Sequence, residues 1–254
     1  MAKVIAISNQ KGGVGKTTTA VNLSSCLTVL EKKVLLIDLD PQANATSSLG
    51  IEKDIIENGI YKLFEKSSSV SDCIHQTAII NLDIIPSHID LVGIEIESID
   101  LIDREQILMN AINKIEEKYD YIIIDCPPSL GLLTMNALTT SNSVIIPIQC
   151  EYFAIEGLGK LLNTIKSIQK IHNKNLSIEG MLLTMYDPRL KLSNQVKKEV
   201  KLHFNEMVFK TIIHRNIKLG EAPSHVGNIL DYDASNTENN NYLSLARELI
   251  LNNS

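Results

Sequence analysis

The chain alternates between short apolar runs and longer stretches in which apolar residues follow helical spacing. The apolar runs are mostly aliphatic and only a few residues long, as in strands that are buried on both faces of a parallel sheet. We predict strands at 4–7, 34–38, 82–86, 119–125, 144–148 and 180–185.

The stretches between these runs predict helices. The clearest covers 105–118, where Leu108, Ala111, Ile112 and Ile115 form one apolar stripe. Further helices are predicted at about 16–33, 60–65, 70–76, 155–171, 192–204 and 242–251, and the polar run 236–241 is predicted as a loop. Strands that alternate with helices without a clear linker predict an α/β fold, with one domain over 1–254 and a doubly wound, mostly parallel sheet covered by helices on both faces.

Composition agrees with an ordinary globular protein, because 44% of the 254 residues are hydrophobic and 21% are charged. No apolar run approaches the length of a membrane span, and the N-terminus enters a strand without a signal peptide, so we expect a cytoplasmic protein. The net charge of −6 argues against a protein that coats nucleic acid with its whole surface, although it leaves room for a local basic patch.

Four cysteines, Cys26, Cys73, Cys126 and Cys150, lack the C-x-x-C spacing of zinc or cluster sites. We therefore expect reduced and mostly buried thiols.

Residues 8–18 read Ser-Asn-Gln-Lys-Gly-Gly-Val-Gly-Lys-Thr-Thr and lie between the first predicted strand and the first helix. Glycines at 12, 13 and 15 remove the Cβ atoms that would keep a phosphate from the backbone N–H groups, and the helix N-terminus favours an anion. Lys16 is placed to reach the β- and γ-phosphates of a nucleotide, and Thr17 to bind Mg²⁺. The pattern predicts the P-loop NTPase type of α/β fold.

Two further predicted strands end in acids. Asp38 and Asp40 close the strand at 34–38, and Asp125 closes the strand at 119–125 as the aspartate of a Walker B element would. Ligands of open α/β sheets bind at this edge, so Asp125 is predicted to hold Mg²⁺, directly or through water.

The loop reads K-G-G-V-G-K-T with an early lysine, Lys11, and it resembles the deviant Walker A motif of ParA/MinD-class ATPases. Together with the segments 38–42, 125–129 and 221–225, it makes nearly the whole chain resemble a ParA-type partition ATPase of the Soj branch. This resemblance implies that Lys11 crosses a dimer interface to the partner's nucleotide and that Asp40 positions the attacking water. It also implies an ATP site formed by Lys11, Gly12, Gly13, Val14, Gly15, Lys16, Thr17, Thr18 and, near the adenine, Asn216.

Three departures from the family pattern stand out. His214, at the rim near the adenine base, stands where the family commonly has proline, and Ala43 replaces a common glycine. The segment 226–236 differs from the usual basic, glycine-containing sequence, which would alter either the loop next to the nucleotide or a DNA contact.

The most basic stretch of the chain is 189–218. In the predicted helix at 192–204, Leu192, Val196 and Val200 form an inward stripe, and the lysines Lys197, Lys198 and Lys201 lie on or beside another face. Such a surface suits phosphates without base readout, although a solvated helix face is the alternative. Arg189 and Lys218 fall where the family has DNA-contacting residues, which favours nonspecific double-stranded DNA as a ligand.

The hypothesis is therefore an ATP-driven switch. ATP and Mg²⁺ would close a homodimer that binds DNA and associates with the nucleoid, and a ParB-type protein would stimulate hydrolysis to move chromosome or plasmid origins. One alternative is a membrane-recruited regulator resembling MinD, but 243–251 has one arginine offset by Glu248 and is weakly basic for an interfacial helix. Another, an iron–sulfur ATPase resembling the nitrogenase iron protein, would need paired cluster cysteines, and Cys126 fits a core position better.

Overall fold

The computed structural model describes residues 1–52, 57–151, 158–215 and 237–253, with the backbone alone described for 237–240. The predictions for Asn216, for Lys218, for the segments 221–225 and 226–236, and for the start of the helix at 155 therefore lie outside the described residues.

One sheet runs through the described residues. Its strands are Lys3–Ile7 (β1), Val34–Asp38 (β2), His75–Gln76 (β3), Leu82–Ile85 (β4), Tyr121–Asp125 (β5), Ser143–Gln149 (β6) and Ser177–Thr184 (β7). The order across the sheet is β3-β4-β2-β5-β1-β6-β7, and only β3 is antiparallel to its neighbour. β2 and β5 are buried at every position, which explains why these segments are continuous apolar runs.

Helices cover both faces of this sheet. They are Lys16–Val29 (α1), Asn44–Ser48 (α2), Ile60–Phe64 (α3), Ile94–Glu97 (α4), Ile107–Ile112 (α5), Leu132–Thr140 (α6), Leu158–Ile171 (α7), Lys191–Phe204 (α8) and Thr237–Asn252 (α9). Short 3₁₀ turns lie at Ile89–Gly93, Arg104–Gln106, Glu116–Lys118 and Asn205–Met207. The doubly wound, mostly parallel fold predicted from the alternating pattern is confirmed.

Two apolar layers hold the helices to the sheet. On one face, Leu23 and Leu27 of α1 pack with Leu245 and Leu249 of α9. On the other face, residues of α3, α5, α6, α7 and α8 pack against β2, β5 and β6. Complete burial of one leucine side chain stabilises the fold by roughly 1.5–3 kcal/mol, so these layers fix the strand ends at which the candidate site lies.

Three predictions of secondary structure need correction. The helix at 105–118 is broken, because tight turns close on Ala111 and Ile112 and bring Ile115 into the core. Residues 70–76 form a turn and β3 instead of a helix, because pairing of His75 with Ile84 overrides local propensity. The polar run 236–241, predicted as a loop, is helical from Thr237 onward.

In α8 the buried stripe consists of Ser193, Val196 and Val200, and Leu192 is 38% exposed, so the predicted inward position of Leu192 is wrong. All four cysteines are free and buried, as expected from their scattered positions. Within the described ranges, no helix is long and apolar enough to cross a bilayer.

Candidate active site

The loop at 8–15 is fixed by hydrogen bonds to β6 and β7. Ser8 N–H donates to Ile145 O at 3.1 Å, and Asn9 Nδ2 donates to Pro147 O at 2.6 Å. Thr184 Oγ1, at the end of β7, donates to Val14 O at 2.9 Å. Sequence reasoning missed Asn9 and Thr184 as anchors, because the carbonyls they contact are far away along the chain.

The glycines of the loop leave room for an anion. Gly13 and Gly15 have φ values of 71° and 86°, in the left-handed region that favours glycine. A Cβ atom at Gly12 or Gly13 would meet no atom within 4 Å, so open space lies beside this backbone. The N-terminus of α1 begins at Lys16, and its dipole adds to the attraction for phosphate.

Lys16 is 7% exposed, and its Nζ donates to Lys11 O at 3.3 Å. Burial lowers the pKa of Lys16, and the negative charge of Asp125 is the first of the effects that oppose this shift. The buried ammonium is thus bound to a carbonyl of the loop and lies near carboxylates, in a position where phosphate oxygens would stabilise its charge. The Lys11 side chain is only half-buried and makes no ion pair among the described residues.

The register of β2 and β5 places Asp38 beside Asp125 at the carboxyl edge of the sheet. Both side chains are fully buried, and Asp40 is 9% exposed. Burial, and then the charge of Asp38, raises the pKa of Asp125 well above its usual value, and contact with Thr17 opposes the shift. Neither oxygen of Asp125 has a hydrogen bond of regular geometry among the described residues.

This donor set fits Mg²⁺. A buried carboxylate without regular donors, next to a hydroxyl, presents the hard oxygen ligands that the ion prefers, and Mg²⁺ commonly takes its other ligands from water and phosphate. The structure therefore brings together the predicted residues Lys16, Thr17, Asp40 and Asp125 at one edge of the sheet.

Asp38 organises the loop that carries Asp40. Its Oδ2 accepts from Thr46 N at 2.9 Å and Thr46 Oγ1 at 2.8 Å, and its Oδ1 accepts from Asp40 N at 3.1 Å. Thr46 Oγ1 in turn accepts from Ser87 N at 2.9 Å, which ties the loop to the segment after β4. Sequence reasoning named Asp38 only as a strand end, and spacing gave no signal for Thr46 or Ser87.

Ala43 sits inside this loop with a φ of 52°, and its N–H donates to Asp40 O at 2.8 Å. The common family glycine would adopt the left-handed conformation without strain, whereas an alanine there costs roughly 1–2 kcal/mol. The departure seen in the sequence is thus a strained residue three positions from Asp40. In the same loop, Gln42 N–H donates to Asp40 Oδ1 at 3.0 Å.

The buried carboxylates predict a pH dependence of stability. Burial raises the pKa of Asp38 to about 6 in the folded state, so the folded chain binds a proton that the unfolded chain releases. In the absence of nucleotide and Mg²⁺, the free energy of unfolding should therefore fall as the pH rises from about 4 to about 6. Urea unfolding at several pH values measures the slope, and Asp38→Asn should reduce it to the part contributed by Asp125, whose pKa is also raised.

Asp187→Asn is the control for this experiment. Hydrogen bonds from Arg189 lower the pKa of Asp187 to about 2, so its stabilising effect is lost only in stronger acid. A slope that is the same in wild type and Asp38→Asn would contradict the role given to Asp38.

Arg189 lies in the turn between β7 and α8, on the solvent side. Its guanidinium binds Asp187 through two hydrogen bonds, of 2.9 and 2.7 Å, while the arginine side chain remains 87% exposed. Lys198 and Lys201 of α8 are also exposed, and Lys197 lies 4.9 Å from the centre of the Tyr186 ring. The same ring packs edge-on against His214, with 5.5 Å between ring centres. The predicted basic surface therefore exists on α8 and the turn before it.

Known proteins resemble this chain in sequence over most of its length. A family model described as an AAA domain matches residues 2–178. The sporulation initiation inhibitor protein Soj of Bacillus subtilis is 55% identical over 99% of this chain and 100% of its own length. The chromosome partitioning protein ParA of Myxococcus xanthus is 46% identical over 98% of this chain and 88% of its own length.

A solved structure has a similar fold. Cobyrinic acid a,c-diamide synthase from Mycobacterium smegmatis, with bound ATP analogue and magnesium, superposes with a TM-score of 0.87 and is 35% identical. The match covers 98% of this chain and 95% of that protein.

Proposed function

Because the chain belongs to the ParA/Soj family of P-loop ATPases, we propose that it partitions DNA, using ATP and Mg²⁺ in a switch between DNA-bound and free states. In the proposed cycle, ATP closes a homodimer that binds nonspecific double-stranded DNA on the nucleoid. A ParB-type protein then stimulates hydrolysis and releases the dimer into the cytoplasm. The relatives named for sporulation control and chromosome partition are more similar in sequence than the diamide synthase.

The observation that carries the proposal is the pair of lysines in one phosphate loop, with Asp40 and Asp125 at the adjoining strand ends. Lys16 and the N–H groups at 12–15 bind the phosphates. Asp40 orients the attacking water, because phosphoryl transfer depends on positioning the nucleophile. Lys11 enters the partner's site and stabilises charge on the transferred phosphoryl group.

Thr17 and Asp125 would hold Mg²⁺, and the ion would supply positive charge to the phosphate oxygens. In ATP-bound protein the Asp125 carboxylate, which has no hydrogen bond of regular geometry among the described residues, would have Mg²⁺ as its partner. Because metal binding favours the ionised carboxylate, it offsets the raised pKa of Asp125.

The packing of α9 argues against the MinD-like alternative. Leu245, Ala246 and Leu249, the apolar face of this helix, are fully buried in the core layer that contains α1. The Glu248 carboxylate accepts the N–H groups of Lys210 and Thr211 at 2.7 and 2.9 Å. A helix whose apolar face already packs inside the protein has no face to insert into a bilayer.

Binding to nonspecific duplex DNA with ATP, ADP or no nucleotide tests the switch. We expect tight binding with ATP alone, and a loss of about tenfold or more in the Arg189→Ala/Lys218→Ala variant, since each protomer loses two phosphate contacts. Fluorescence anisotropy at several salt concentrations measures both effects. Equal binding in all nucleotide states would contradict the switch.

Asp187→Asn is the matched variant for the DNA surface. It releases Arg189 from the ion pair and removes a negative charge, so DNA affinity should increase several-fold. Glu117→Gln removes the same charge from an exposed turn and is the control for net charge. The same increase in both variants would leave no specific role for Arg189.

A further inference from the structure

The segment 89–103, between β4 and α5, exposes apolar side chains that nothing in the proposed cycle uses. Ile96, Ile99 and Ile102 are 74%, 60% and 86% exposed. Ile89, Val92 and Leu101 are also exposed, while Leu91, Ile94 and Ser98 of the same segment point into the protein. We call this surface the 89–103 patch. Contiguous exposed apolar side chains of this kind commonly mark a site of protein interaction.

The patch is also acidic. It carries five carboxylates and no lysine or arginine, the acids being Asp90, Glu95, Glu97, Asp100 and Asp103. Among the described residues, the only ion pair of these acids is between Asp90 and His88, at 3.0 Å. Such a surface repels DNA and anionic lipid headgroups. It suits a protein segment that presents apolar side chains between positive charges.

A physical connection runs from the patch toward the candidate active site. Glu95 Oε1 accepts the N–H of Leu132 at 3.0 Å, at the start of α6. A Cβ atom at Gly131 would collide with the Glu95 carboxylate, so this side chain packs directly on the Gly131 backbone. The chain between Asp125 and Gly131 is only a short loop. Any displacement of Glu95 therefore acts on the loop that follows the proposed Mg²⁺ ligand.

We propose that the 89–103 patch docks a basic amphipathic helix of the ParB-type partner, and that docking stimulates hydrolysis through Glu95 and the 126–131 loop. This inference rests on the proposed function for the identity of the partner. Exposed isoleucines supply the apolar contact, and the carboxylates beside them pair with the lysines or arginines of the docked helix.

The test compares Ile96→Ser/Ile99→Ser with Ile171→Ser. Ile171, at the end of α7, is 74% exposed, as is Ile96, and lies outside the patch. Since exposed side chains are changed, both variants should fold and keep basal ATP hydrolysis and ATP-dependent DNA binding within about twofold of wild type. The purified cognate ParB-type protein is titrated, and the half-maximal concentration for stimulation should rise about tenfold or more in the patch variant only.

A second arm tests the chemistry of the patch without the partner. The probe is a fluorescein-labelled model helix with leucines at helical spacing and lysines elsewhere, compared with a helix that carries glutamates in place of lysines. The lysine helix should bind wild type and Ile171→Ser, and bind the patch variant at least about tenfold more weakly. The glutamate helix should bind none of them.

The outcomes separate the two proposals. Unchanged stimulation of the patch variant, or unchanged binding of the lysine helix, would overturn the inference and leave the switch intact. Loss of ATP-dependent dimerisation in the patch variant, measured by light scattering, would also overturn it and assign the patch to a second copy of the chain. If the ParB-type protein does not stimulate ATP hydrolysis by the wild type, the proposed cycle is wrong, and so is the inference that rests on it.

Discussion

Replacing Lys16 by alanine should abolish ATP hydrolysis and nucleotide-dependent DNA binding, with a fall in turnover of at least about 10³-fold. Lys16 is the buried ammonium of the phosphate loop, and its Nζ already points at the loop carbonyl of Lys11. Without it, the phosphates would lie near Asp40 and Asp125 with less positive charge to balance them. A coupled ATPase assay and nucleotide titration measure the loss.

Two controls accompany Lys16→Ala. Lys32→Ala removes a lysine that lies beyond the end of α1 and should leave turnover unchanged. Circular dichroism checks that Lys16→Ala is folded, and Lys16→Gln, which retains a hydrogen-bond donor, provides a second variant. Turnover within about tenfold of wild type in folded Lys16→Ala protein would exclude this lysine from phosphate binding.

A mixture of Lys11→Ala and Asp40→Ala chains should regain activity that neither variant has alone. If Lys11 acts across the dimer, each mixed dimer contains one intact site, with Asp40 from one chain and Lys11 from the other. Random pairing makes half of the dimers mixed, so about a quarter of wild-type turnover is expected. Each variant alone should fall by about 10²-fold or more.

The same mixture distinguishes the competing geometry. If Lys11 served the nucleotide of its own chain, both sites of a mixed dimer would lack one residue and no activity would return. The half-buried Lys11 side chain, which has no ion pair among the described residues, is free to reach a partner. A mixture of Lys11→Ala with Lys11→Ala/Asp40→Ala is the control, because neither site can then be complete.

Features with a local physical signal were predictable from the sequence. Val34–Asp38 and Tyr121–Asp125 are aliphatic because they are buried on both faces, so their pattern predicts strands directly. Gly13 and Gly15 also carry a local signal, because the left-handed backbone found at these two positions favours glycine. The carboxyl ends of parallel strands then imply that Asp40 and Asp125 meet.

Features that depend on tertiary contacts were not predictable. Thr46 becomes important because Asp38 and Ser87 meet at its hydroxyl, and only the sheet register brings them together. The helix predicted at 105–118 breaks because the turn after Ile112 brings Ile115 into the core, where burial outweighs helical continuity.

The left-handed conformation of Ala43 makes the observed shape of the loop less favourable than it would be with glycine. Relative to glycine, a strain of about 1.4 kcal/mol would lower the population of this conformation, against looser alternatives, about tenfold. Because Ala43 N–H donates to Asp40 O, each departure from the shape moves the backbone of the residue assigned to water. In the proposed cycle, the fraction of time in which Asp40 is aligned with the attacking water would therefore be set partly by one methyl group.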